Sequence, residues 1–377
     1  MCTLLLIGAG RIGSIILRDM VRRGYEVIVL SRSEERLKEL KKEYGVSGVL
    51  GNALSKHVLE DVINKHNIKY VLTALPGRIA FNVIRNLIDI GVNIIDVSFY
   101  PEDIFKLDDL AKRKNVIVVP DAGIAPGLSN ILAGKIYSEM ESIDSIEIYV
   151  GGVAKDKGAP LGLAGTWSID DLLDEYIRPT RLIEEGEVKV VDPLSITGTV
   201  RIPGLGTFEY FVSDGLRTMT KTLREVKKLV EYTIRYPGHV TVMRELRRLG
   251  LLNDREIQIN DGKINVRKVI VKLLEEALSK NTRDRVILYV KGAGLKNGSS
   301  RVVEYLLHQE YDEREKISAM AKTTAYSFTA IANLIVKGRI SYTGVYPPEY
   351  IGMDRKLYDQ VLKDLLGRGI EIIEVYG

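Results

Sequence analysis

Residues Thr3 to Gly24 constrain this chain more than any other stretch. An apolar run, Leu4-Leu5-Leu6-Ile7, breaks at Gly8-Ala9-Gly10-Arg11-Ile12-Gly13 and resumes as Ser14-Ile15-Ile16-Leu17. The pattern predicts a buried strand, a tight turn and a helix with Ile12, Ile16 and Met20 on one stripe. Gly24 closes that helix, and a second strand, Glu26 to Leu30, begins. Each glycine has its own physical task. Gly8 permits the sharp turn, Gly10 lets a pyrophosphate reach the backbone, and Gly13 lets helix and sheet close up, while the helix N-terminus offers N–H groups to phosphate oxygens. A dinucleotide is expected here, against Gly8, Gly10, Arg11, Ile12 and Gly13. The alternative is a purely structural Gly-rich turn.

At 377 residues the chain exceeds one core and suits two domains. Its 54 basic and 50 acidic residues leave a formal charge of +4, which points to neither a nucleic-acid nor a membrane partner. Cys2 is the only cysteine, so the chain has no internal disulfide, thiolate metal cluster or CxxC pair; no metal is expected, and a reducing, cytoplasmic setting is. No stretch approaches the roughly 18 consecutive apolar residues of a membrane span. A 28% charged fraction with a single cysteine hints at a thermophilic source.

After the second strand comes Ser31-Arg32-Ser33-Glu34-Glu35-Arg36, with Ser33 placed as an N-cap. A carboxylate about 20 residues past the glycines would pair with the ribose hydroxyls of NAD. This chain has Ser31 and then Arg32, a small hydroxyl and a guanidinium that suit a 2′-phosphate. The cofactor is therefore NAD(P), with NADP favoured over NAD. Arg32 stacking on adenine or pointing to water is the other reading.

Helices and strands then alternate. A helix to Tyr44 closes at Gly45, a strand Gly48 to Leu50 leads to Asn52 and Ala53, and a polar helix capped by Ser55 carries His57 and His66 on its surface. Strand Tyr70 to Leu75 ends in Ala74-Leu75-Pro76, and strand Val92 to Val97 delivers Asp96 and Ser98 to the same carboxyl edge, where open α/β sheets bind ligands. With helix Ile79 to Ile90 and strand Val116 to Val119, the order predicts a Rossmann doubly wound parallel sheet. Past Pro120-Asp121-Ala122-Gly123-Ile124-Ala125-Pro126-Gly127 the pattern changes to an α+β domain on a largely antiparallel mixed sheet. It has a strand Asp144 to Val150, a helix Ser168 to Tyr176, and hairpin-like segments Arg181 to Val191, Thr199 to Val212 and Arg285 to His308. Two helices, Thr222 to Glu231 and Val266 to Leu278, intervene. From Ile317 the chain is helical again, and a last helix, Lys356 to Leu366, and strand, Ile370 to Val375, suit a return to the first domain. The expected division is a discontinuous Rossmann domain, 1–124 with 317–377, and an inserted domain, 125–316.

The glycine turn, Ala74-Leu75-Pro76-Gly77, Asp96-Val97-Ser98-Phe99, Asp121 through Ser129, Tyr149-Val150-Gly151-Gly152, Thr166-Trp167-Ser168, Ser213-Asp214-Gly215-Leu216-Arg217-Thr218 and Thr233 through His239 occur in order. Together they resemble the saccharopine dehydrogenase-like family, closest to the archaeal-type lysine 6-dehydrogenases, over nearly the whole chain. The resemblance implies an NAD(P)-dependent oxidoreductase acting on an amine carbon, with a small lysine-like substrate and a homodimer formed through the second domain. The lysine ε-amine would be oxidised and hydrolysed to the semialdehyde, releasing ammonia. Two other readings stay open: a saccharopine-type or polyamine-related C–N forming reductase, and a catalytically silent NADP(H)-binding sensor. The NAD-linked lysine dehydrogenases tend to carry an acid where this chain has Ser31.

Asp96 and Asp121 are the first candidates to orient the amine, or else they fix turns. His239, after Tyr236-Pro237-Gly238, has a pKa range that suits proton transfer, or is a structural hydrogen bonder. Arg217 and Arg235 offer the fork geometry that pairs with a substrate carboxylate, or make salt bridges. Trp167 walls the substrate or is core, and Gly123 joins the cofactor loops.

Overall fold

Strand β1 (Thr3–Ile7) is buried along all but its first residue, and it feeds α1 (Arg11–Arg22) directly. The computed structural model describes residues 2–165, 168–260, 262–280 and 282–375. Next come β2 (Glu26–Ser31), α2 (Glu34–Tyr44), β3 (Ser47–Leu50), α3 (Lys56–His66), β4 (Tyr70–Thr73), α4 (Gly77–Ile90), β5 (Asn93–Asp96), α5 (Asp108–Arg113), β6 (Ile117–Val119) and α6 (Leu128–Glu139). Capping chemistry sets several ends. The Ser33 and Ser55 hydroxyls accept from Arg36 and Val58 N–H, and Gly45 closes α2 in the left-handed region.

The chain continues through β7 (Ser142–Ala154), α7 (Ile169–Asp174), β8 (Thr180–Glu184), β9 (Glu187–Val191), β10 (Thr197–Ile202), β11 (Gly206–Val212), α8 (Met219–Thr222), β12 (Lys228–Arg235), α9 (His239–Arg248), β13 (Glu256–Ile259), β14 (Gly262–Asn265), α10 (Val266–Leu278), β15 (Asp284–Lys296) and β16 (Ser299–Glu310). It ends with α11 (Ala319–Val336), β17 (Gly344–Val345), α12 (Glu349–Met353), α13 (Arg355–Leu366) and β18 (Ile373–Val375).

Two compact units result: Met1–Ser138 with Lys322–Gly369, and Glu139–Ala321 with Ile370–Gly377. The first holds a parallel sheet in the order β17-β6-β5-β4-β1-β2-β3, with β1 between β4 and β2. Its core joins Leu5, Ile28, Val71 and Ile94 of the sheet to Ala80, Ile84 and Leu87 of α4. In this unit α13 is tied to α1 by a closed ring of four charges. Arg23 donates to Asp19 at 2.8 Å and to both oxygens of Asp364 at 2.8 Å, while Arg368 reaches Asp19 at 3.0 Å and also pairs with Asp364.

The second unit holds a mixed sheet whose main path runs β10-β11-β12-β7-β15-β16-β18; β8 pairs with β12 and β9. Only the β12–β7 pair is parallel among its described pairings. Three expectations are corrected here. The helix expected over Thr222 to Glu231 is not formed: α8 stops at Thr222 and the rest turns into β12. The terminal strand pairs with β16 of the second sheet rather than returning to the first. The expected boundaries at 124/125 and 316/317 fall short of the unit limits, since α6 belongs to the first unit and residues through Ala321 to the second.

Candidate functional site

The glycine turn is built by close contact. Gly8 has φ +99°, and a Cβ there would lie 2.2 Å from the Ala74 carbonyl oxygen; one on Gly13 would lie 1.9 Å from that of Gly8. Backbone therefore packs on backbone, and the start of α1 is drawn onto the ends of β1 and β4. Gly10 differs, because a Cβ there would meet nothing within 4 Å. That open space lies at the N-cap of α1, which has no side-chain cap and no acid in its first turn. Anion-receptive N–H groups beside room for a pyrophosphate fit the expected dinucleotide.

The neighbouring loops are fixed by Asp96. This carboxylate is fully buried, accepts from the Thr73 hydroxyl at 2.6 Å and the Ser98 hydroxyl at 2.7 Å on one oxygen, and from Ser98 N–H at 3.1 Å on the other. The Ser98 oxygen in turn accepts from Leu75 N–H at 3.0 Å. Burial pushes the Asp96 pKa up to about 7, against the hydrogen bonds from Thr73 and Ser98, and the charge of Asp121 adds to the rise. Sealed from solvent, Asp96 acts on the Ala74-Leu75-Pro76 loop through Ser98, which does not fit its expected role of touching the amine. Asp121 is 2% exposed and holds a left-handed backbone, φ +53°. It opens the loop that Gly123 and Gly127 fold back on itself, and the Asn130 amide oxygen accepts Gly127 N–H at 2.9 Å.

At the β2–α2 turn the Ser31 hydroxyl accepts Ser33 N–H at 3.2 Å, and Arg32 is exposed. Asn52, exposed, caps its own turn by accepting Leu54 N–H at 3.1 Å on its amide oxygen, and Ala53 is buried in the core. Arg36, one turn into α2, donates from Nε to the Ala9 carbonyl of the glycine turn at 3.0 Å. That contact was not anticipated from sequence, although Arg36 follows its N-cap Ser33 by three residues.

In the second unit Arg235 and His239 are both buried. Arg235 is 2% exposed and donates to Glu175 at 2.7 Å, to the Ile234 carbonyl at 2.9 Å and to the Tyr176 hydroxyl oxygen at 3.4 Å. His239 Nε2 lies 2.8 Å from the Tyr176 hydroxyl and Nδ1 lies 2.9 Å from the Leu161 carbonyl, so Nδ1 carries the proton and Nε2 accepts. Burial, and then the Arg235 charge, lower the imidazole pKa to about 3. Both ring nitrogens of His239 are thus engaged, with Tyr176 and Leu161, and the Arg235 guanidinium is paired with Glu175. Arg217 is 6% exposed with φ +51°, beside Gly215, whose missing Cβ leaves room for the Glu231 carboxylate. Trp167 lies outside the described residues. Among those residues no cluster of His, Cys, Asp or Glu suits a metal ion, and no helix is long and apolar enough to cross a membrane.

Residues 4–119 match the family profile described as the saccharopine dehydrogenase NADP binding domain, and residues 123–370 that of the saccharopine dehydrogenase C-terminal domain. The chain is 22% identical over 332 residues to a saccharopine dehydrogenase [NADP(+), L-glutamate-forming] of Pyricularia oryzae, covering 85% of this chain and 70% of the relative. It is 23% identical over 265 residues to the mitochondrial alpha-aminoadipic semialdehyde synthase of Rattus norvegicus, covering 66% of this chain but 28% of that longer protein. The fold is similar to that of apo saccharopine dehydrogenase (L-Glu forming) from Saccharomyces cerevisiae, with a TM-score of 0.81, 19% identity and all of both chains covered.

Proposed function

Since this chain belongs to the saccharopine dehydrogenase family, we propose that it is an NADP-dependent dehydrogenase that oxidises a side-chain carbon–nitrogen bond of an amino acid, with the ε-carbon of L-lysine as its target. The observation that carries the cofactor half is the turn itself: Gly8 and Gly13 closed against backbone, Gly10 open, and Ser31-Arg32 where an NAD site keeps an acid. Bound there, the dinucleotide supplies the hydride acceptor. The carbon loses a hydride, its nitrogen a proton, and water then replaces the nitrogen, leaving an aldehyde and ammonium.

The chain's share is to place groups. Asp96, through Ser98, holds the Leu75 amide, and Asp121, in the same unit, is the proposed partner of the substrate's amine. Lysine is favoured over a larger, multiply charged substrate because guanidiniums of the second unit are already matched internally: Arg181 with Asp214, Arg235 with Glu175, and Arg267 with Asp170 and Asp174. A substrate with several carboxylates asks for cations that these pairs consume. The chain's similarity to a saccharopine dehydrogenase of Pyricularia oryzae favours a second reading, saccharopine itself.

NADPH formation with L-lysine, saccharopine and a diamine separates these readings. Lysine is expected to reduce NADP and release ammonia. Glutamate released from saccharopine instead selects the second reading, turnover of the diamine alone selects the polyamine reading, and no turnover leaves a nucleotide sensor. We also expect a homodimer through the second unit, whose sheet path ends at β10 and β18 and which exposes Val302 and Ile373. Light scattering checks this, and a monomer at micromolar concentration removes it.

A further inference from the structure

We propose that Arg36 is a second cation, with Arg32, that reads the 2′-phosphate of the cofactor, and that Glu39 competes with that phosphate for it; this rests on the NADP reading above. The case begins with how the guanidinium is held. Its Nε donates to the Ala9 carbonyl at 3.0 Å, its Nη1 to Glu39 at 2.6 Å, and Nη2 has no hydrogen-bond partner among the described residues. The Nε end is thus pinned to the glycine turn and Nη1 to Glu39, on a side chain that is 34% exposed.

Its place in the fold matters as much. In a Rossmann site the adenosine ribose lies between the glycine turn, which takes the pyrophosphate, and the end of the second strand. Arg36 sits on α2 just past that strand end and touches the turn, so it spans those two landmarks. Arg32, exposed at the same corner, has neither an ion pair nor a side-chain hydrogen bond among the described residues. Two arginines therefore flank the β2–α2 corner where the 2′ position falls, Arg32 exposed and Arg36 pre-set by its bond to Ala9.

Glu39 supplies the competition. Its pair with Arg36 is exposed, 34% and 53%, and such pairs have little net worth, so a phosphate dianion displaces the carboxylate readily. The Nε anchor keeps the guanidinium plane fixed during the exchange, which limits the rotamer freedom lost on binding.

Dissociation constants for NADPH and NADH, read from nucleotide fluorescence with no substrate present, test the assignment. Arg36→Ala is expected to weaken NADPH by about 10- to 100-fold and NADH by less than about 3-fold. Glu39→Gln is expected to tighten NADPH by about 3-fold or more at low salt, less at high salt, and to leave NADH unchanged. Equal losses of both nucleotides in Arg36→Ala, or no loss, overturn the role of Arg36. Unchanged or weaker NADPH binding in Glu39→Gln overturns the competition. A wild-type protein that binds NADH as tightly as NADPH fails at the NADP reading instead, an outcome visible before any variant is made.

Discussion

Gly10→Ala and Gly13→Ala, three positions apart in one turn, are expected to fail in different ways. At Gly10 an added methyl meets no protein atom within 4 Å, and φ −73° with ψ −160° is open to any residue. The apo protein should keep its melting temperature. The methyl nevertheless enters the space in front of the α1 N-terminus and holds the pyrophosphate off the backbone. Each charge-assisted hydrogen bond lost there is worth roughly 1.5 to 3 kcal/mol, so loss of one or two weakens NADPH by about 10-fold at the least and by several hundred-fold or more if both go. At Gly13 the same methyl meets the Gly8 carbonyl at 1.9 Å, and backbone has to move. Both binding and stability should fall. Calorimetry and nucleotide titration on the two variants decide it: wild-type NADPH affinity in Gly10→Ala would place the pyrophosphate elsewhere.

The second large effect is expected at Asp364→Ala. Asp364 is the carboxylate that both Arg23 and Arg368 share, its side chain 17% exposed, and Asp19 alone remains if it is removed. Two largely buried guanidiniums then face each other with one counter-ion. Breaking such a pair from one side costs about 3 to 5 kcal/mol, and the partial exposure here argues for about 3. For a unit of this size that lowers its melting temperature by roughly 6 to 12 °C. Asp364→Asn, which keeps shape and one acceptor, should cost less. A shift below about 2 °C in Asp364→Ala would mean that water already screens the ring.

Much of the first unit was legible because its signals are local. A glycine turn between an apolar run and an amphipathic helix, serine N-caps at Ser33 and Ser55, and regular alternation each constrain a few neighbouring residues, and each matches the structure. The stretch Thr222 to Glu231 misleads for the opposite reason. Leu223, Val226, Leu229 and Val230 recur at near-helical spacing, yet β12 lies between β11 and β7 with every residue after Lys228 buried, so its apolar positions show no alternation. Arg235 drew a carboxylate-anchor reading and His239 a proton-transfer reading from residue type and the motif they share. Their partners, Glu175, Tyr176 and Leu161, lie about 60 to 80 positions earlier in the chain, beyond the reach of spacing. Arg36 was overlooked because its contact runs back 27 residues to a carbonyl, and carbonyls leave no mark in a sequence.

The threading of the chain also sets a timetable for its birth on the ribosome. Residues Met1–Ser138 cannot complete their unit until Lys322–Gly369 have been made, because β17 extends the sheet beside β6, and Asp364 of α13 with Arg368 just past it closes the ring with Asp19 and Arg23. At roughly 5 to 20 residues per second the nascent first segment waits on the order of 10 to 50 seconds, its β6 edge bare and Arg23 without Asp364. The segment Glu139–Ala321 has no such delay, apart from the short strand β18 that finally covers part of β16. The later-encoded unit is thus positioned to mature first, and the dinucleotide fold, though synthesis begins with it, is the one that must be kept from premature strand pairing while it waits.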